Sequence, residues 1–169
     1  MMKKLGMLFT LAFVVGLAFV FNGGQASAAT EHTVTANLYV KASDNQVKLM
    51  NAYLTNSAYT PSWAVSDNAK LTAEDDGTFT LSVPVVNNTF ALISLGQPDG
   101  GVWDITKTRN EGTYGTHTDG RITNLTMKIQ PGATSIYFTG NLQYANHIFA
   151  KGDKNFHLTL DVDWSNVSY

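Results

Sequence analysis

Between residues 29 and 169 the apolar side chains recur at every second position far more often than at every third or fourth, which is the period of strands rather than helices. Residues 33–40 put Val34, Ala36, Leu38 and Val40 on one face, residues 78–86 do the same with Phe79, Leu81, Val83 and Val85, and residues 123–129 with Leu125, Met127 and Ile129. The cleanest run is residues 156–164, FHLTLDVDW. There Phe156, Leu158, Leu160, Val162 and Trp164 alternate with His157, Thr159, Asp161 and Asp163. One apolar face per strand predicts antiparallel sheets with one side on a core and the other in water.

Further strands are predicted at residues 69–73, 89–95 and 135–139, and an irregular aromatic one at 143–149. Turn-forming clusters separate them: residues 74–77 (EDDG), 97–101 (QPDGG), 130–132 (QPG) and 151–154 (KGDK). Seven or eight short strands at this spacing predict a two-sheet β-sandwich or an irregular barrel of immunoglobulin-like size. Pro84, inside a good strand, predicts an edge position or a bulge. Residues 47–54, VKLMNAYL, are the one short helical candidate, and the polar, glycine-punctuated residues 104–120 read as a long hairpin loop.

The first 28 residues follow a different pattern. Lys3 and Lys4 precede an apolar stretch over residues 5–21, and Ala26-Ser27-Ala28 supplies small residues for cleavage, so residues 1–28 read as a secretory signal peptide. A retained membrane anchor is the competing reading of the same stretch. Residues 29–169 then form a single domain with no second long apolar segment, so no membrane span is expected after processing. Removing two lysines from the 11 basic residues leaves nine against 13 acidic ones, a net charge of about −4, without the basic footprint that nucleic-acid binding requires. The chain has no cysteine, so neither disulfides nor thiol chemistry is available, and cystine-free export points to a bacterial source.

Catalytic signatures are thin. No nucleophile elbow, HExxH, Walker loop or dinucleotide fingerprint occurs in residues 29–169, and the expectation is that the protein is not an enzyme. His32, His117, His147 and His157 are scattered; His117-Thr118-Asp119 offers two metal ligands but reads better as a solvated turn. Asp161 and Asp163 share one face of a strand and read as a solubilising surface. Three Asn-x-Ser/Thr triplets, at Asn87, Asn124 and Asn166, are expected by chance in so Asn- and Thr-rich a chain. Two aromatic groups stand out instead: Tyr53, Tyr59 and Trp63 in or after the helical candidate, and Tyr144, His147 and Phe149 in QYANHIF. Such groups suit a flat apolar ligand, with phenolate or imidazole able to bind iron, and they equally suit capping the ends of a core.

Residues 48–54, KLMNAYL, followed after a turn by Ala69-Lys70-Leu71-Thr72 and by Gly77-Thr78-Phe79-Thr80-Leu81-Ser82-Val83, resemble the opening of NEAT domains, the exported haem-acquisition modules of Gram-positive bacteria. Residues 135–163, with an aromatic hairpin and a final alternating strand, are similar to that family's C-terminal half. The resemblance implies an all-β, immunoglobulin-like antiparallel β-sandwich of seven to eight strands with one short lip helix, and haem between the lip and the last hairpin. It implies Tyr144 as the ferric-iron ligand. The family's second tyrosine position holds Ile148, with His147 beside it as a substitute partner. At the lip, Lys48 takes the place of a propionate-binding serine, and Met50 and Tyr53 would cover the porphyrin. An insertion at about residues 56–68 carries Tyr59 and Trp63, which would contact a protein partner. The implied function is extracellular haem binding and transfer for iron acquisition, with haem, a haemoprotein or another haem-transfer protein as partner. The alternative is a non-haem NEAT-like module that binds a host protein or cell-wall component through the aromatic loop. No sorting signal follows the last strand, which predicts secretion or non-covalent attachment to the cell surface.

Overall fold

The computed structural model describes residues 29–44, 50–57, 63–98, 102–144 and 152–169. Residues 1–28, read above as a signal peptide, and Lys48, Tyr59, His147 and Ile148 lie outside the described residues. Ten strands are described: β1 (Glu31–Val34), β2 (Ala36–Val40), β3 (Ala52–Tyr53), β4 (Ala69–Ala73), β5 (Phe79–Pro84), β6 (Phe90–Leu95), β7 (Val102–Arg109), β8 (Ile122–Ile129), β9 (Ser135–Tyr144) and β10 (Gly152–Val162). They form two five-stranded antiparallel sheets, ordered β1-β4-β5-β8-β7 and β3-β2-β10-β9-β6, in a sandwich-like arrangement. Among the described residues there is no helix, and none long and apolar enough to cross a membrane.

The core is built by the alternation read from the chain. Leu71, Leu81, Val83, Leu125, Met127 and Ile129 from the first sheet meet Leu38, Leu92, Leu142, Leu158 and Leu160 from the second, all buried. Residues 33–40 keep one apolar face, but the chain breaks step at Thr35 and passes from one sheet to the other. Val34 therefore serves β1 and Ala36, Leu38 and Val40 serve β2, all within one core. That break is one reason the count is ten and not seven or eight. The others are β3 and β7, neither of which shows apolar alternation.

Four expectations are corrected. Residues 50–54 of the expected lip helix are not helical: Met50 lies in a bend, Tyr53 and Ala52 pair with Tyr39 and Val40, and the Leu54 N–H donates to the Leu38 carbonyl at 2.8 Å. A ladder partner competes with the local helical preference of so short a segment and wins. Residues 104–109 belong to edge strand β7, whose mostly exposed side chains erase the alternation signal; Asp104, at φ 52, bulges it. Pro84 sits in a central strand, yet at its end, past the last residue paired with β4, where a missing N–H on that side costs nothing. Gly152 and Asp153, expected in a turn, pair with Tyr144 and Gln143, so β9 and β10 run on as one long hairpin.

Candidate functional site

The expected site residues fall at two places on the second sheet. By register, Tyr53, Tyr39, Thr159 and Tyr137 form one row across β3, β2, β10 and β9. Tyr144 lies seven positions farther along β9, about 24 Å at the usual strand rise. Tyr53 and Tyr144 are therefore not brought together. Tyr144 ends the β9 ladder, with Gly152 opposite it on one side and Phe90 on the other.

The row of tyrosines is held from several directions. The Tyr39 and Tyr53 rings lie 5.0 Å apart at 42°, and the Tyr39 hydroxyl donates to Asp161 Oδ2 at 2.7 Å. Ser135 donates to the other oxygen of that carboxylate at 2.7 Å. Asp161 is thus a structural acceptor rather than a purely solvated side chain. Burial first, and the hydrogen bond to Asp161 second, push the Tyr39 phenol well above its ordinary pKa. Tyr137 is half-exposed, with the Lys41 ammonium 5.6 Å from its ring centroid.

Residues 41–51 leave β2 at Val40, opposite Leu158, and return as β3. Asn51 Oδ1 accepts from the Ala42 N–H at 3.0 Å and closes the base of this loop, while Met50 beside it is 44% exposed. Asn51 is a positioning residue that the tyrosines and methionine of KLMNAYL overshadowed. β2 pairs with β10 over Leu158–Val162, and β9 pairs with it from Gly152 to Asp161.

The insertion is pinned by asparagines. Asn37 Nδ2 donates to the Val65 carbonyl at 3.0 Å and its Oδ1 accepts from the Val65 N–H at 2.9 Å, while Asn56 donates to the Trp63 carbonyl at 2.7 Å. The backbone at Trp63 is thereby fixed while its side chain stands 67% exposed. Around the far end of β9, the loop after β7 docks rather than hangs free. Tyr114 Oη donates to the Asn88 carbonyl at 2.6 Å, and Gly115, at φ 58, lies so close to the Gln143 side chain that a Cβ would collide with it. Within the same loop His117 forms a backbone bridge with Tyr114, and Asp119 pairs with Arg109 at 3.4 Å. No group of three metal-ligating side chains occurs among the described residues. A single phenolate under a porphyrin needs no such group, so the donor chemistry of Tyr144 is compatible with ferric haem.

No family model, curated protein or solved structure matches the chain.

Proposed function

We propose that this protein is an exported, non-catalytic haem-capture module with an immunoglobulin-like sandwich of the NEAT type, from a Gram-positive bacterium. The observation that carries the reading is the register of β9 and β10, which sets Tyr144 opposite Gly152 at the end of the ladder, while β2 pairs with β10 only over Leu158–Val162. In this reading haem is cargo, and its ferric iron takes the phenolate of Tyr144, with His147 as the polar neighbour. Lys48 pairs with a propionate, and Met50 supplies apolar cover. Tyr53 acts from behind, through its ring contact with Tyr39, as a support of the loop. The cargo comes from or passes to a haemoprotein or another haem-transfer protein outside the cell or at its surface.

Titration of the purified protein with ferric haem, followed by visible absorption, tests this. The expected result is saturable one-to-one binding with a phenolate-type spectrum that Tyr144→Phe removes. Binding no tighter than that of an unrelated acidic protein, or a spectrum unchanged in Tyr144→Phe, overturns it. The exposed and backbone-anchored Trp63 supports a second reading, a non-haem module that docks a host protein or wall component through this loop. A colourless protein whose partner binding is lost in Trp63→Ala is the outcome that distinguishes it.

A further inference from the structure

The second sheet carries a pair of neighbouring hollows along β9. A hollow of about 350 Å³ is lined by Lys41, Asp44, Gln97, Tyr137, His157 and Thr159, among others. A second, of about 470 Å³, is lined by residues including Ser94, Asn141 and Asn155. Thr139 is their common boundary. At this joint residue 96 is glycine: its N–H donates to the Thr139 carbonyl at 2.7 Å, and a Cβ there would run into Thr139 Oγ1 and displace it. Together the hollows follow β9 from residue 137 to 141, about 14 Å of strand.

The lining selects the ligand. Polar and apolar surface are mixed, the polar part being mainly hydroxyls and amides, and the charges within it, Lys41 and Asp44, are of opposite sign, so neither a phosphate nor a cation is favoured. Tyr137, 48% exposed, offers a flat apolar ring at one end. At the other end Asn141 donates to Asn155 at 3.1 Å, while its own Oδ1 is buried with no partner among the described residues. A buried acceptor without a donor is costly, so a turn of the Asn141 amide that brings this oxygen to a ligand hydroxyl or amide is favoured. An aromatic platform, neutral polar groups of both senses and an elongated shape on a flat sheet face fit a chain of sugar rings. We propose that this trough binds a linear, neutral, β-1,4-linked oligosaccharide, with one ring on Tyr137 and a later one hydrogen-bonded at Asn141.

The lining shares the segment after β2 and strand β10 with the haem reading but not Tyr144, Met50 or Tyr53, so loss of haem binding in Tyr144→Phe and loss of sugar binding in Tyr137→Ala are read separately. The test is titration of the 15N-labelled protein with cellohexaose and with chitohexaose, and with the matching disaccharides. Saturable shifts at the amides of Gln97, Tyr137, Thr139, Asn141 and Asn155 are expected for at least one hexasaccharide, with affinity at least about tenfold above its disaccharide because only the longer chain spans both hollows. Tyr137→Ala is expected to lower that affinity by about tenfold or more and Tyr137→Phe to preserve it. Should Tyr137→Ala not fold, Gly96→Ala, which crowds the joint at Thr139, is expected to weaken the hexasaccharide and spare the disaccharide. Absence of shifts with all four sugars, affinity that does not grow with length, or binding unaffected by these substitutions overturns the proposal.

Discussion

Asparagine side chains stand in for backbone at points where the chain leaves a sheet, among them Asn68 and Asn87. Asn68 donates to the Ala36 carbonyl and accepts from the Ala36 N–H, much as a neighbouring strand would. Asn87, 1% exposed, donates to the carbonyls of Tyr53 and Asn56 and accepts from the N–H groups of Thr89 and Phe90. In the sequence Asn87 reads only as a chance glycosylation triplet and Asn68 as the end of the insertion, because the partners they satisfy lie up to 34 residues away. Tyr39 shows the same blind spot: its hydrogen bond to Asp161 depends on a strand pairing across 122 residues. Since the folded state raises its pKa above the ordinary 10.0, the folded chain holds a proton that the unfolded chain releases as the pH rises past that value. The stabilisation is complete below pH 10 and lost above it. Urea unfolding at pH 9 and pH 11 is expected to show a steeper loss for the native protein than for Tyr39→Phe. At neutral pH that variant should be less stable by about 1 kcal/mol, the value of the lost hydrogen bond.

Among elements, the strands with a buried face were legible and those without one were not. Residues 69–73 and 123–129 were read within a residue of β4 and β8, because Leu71, Leu125, Met127 and Ile129 alternate with half-exposed or exposed neighbours. β7, paired only with β8 and exposed for most of its length, left no such trace. β3 is two residues long and exists because β2 offers it a ladder. The β9–β10 hairpin holds the most consequential register, since it sets both Tyr144 and Tyr137. Gly140 is its tightest point: a Cβ there would strike the Leu158 side chain on β10. Gly140→Val is expected to destabilise the protein by about 2 kcal/mol through overpacking, measured by urea denaturation. An unchanged midpoint would mean that the two strands do not approach as closely as described.

At the scale of the whole molecule, stability rests on one core. With no cysteine in the chain, no disulfide contributes, and the contiguous cluster that includes Leu38, Leu81, Leu125 and Leu160 spans both sheets. A shared core couples the sheets, so tryptophan fluorescence and far-UV circular dichroism should report a single transition. Leu125→Ala, at a fully buried position, is expected to lower stability by about 3 kcal/mol in both probes together. A shift in one probe alone would show that the sheets unfold separately.

What the sequence by itself determined is the all-β class, the faces of the principal strands and the aromatic clusters as places to look. Each of these is local, because a period of two and a turn residue act over a few positions. The sheet order, the crossing at Thr35, the row of Tyr53, Tyr39 and Tyr137, and the trough over Thr139 were decided only by tertiary structure. They depend on which distant strands pair and in what register, and that is settled by the packing of all the apolar faces at once, not by any one segment.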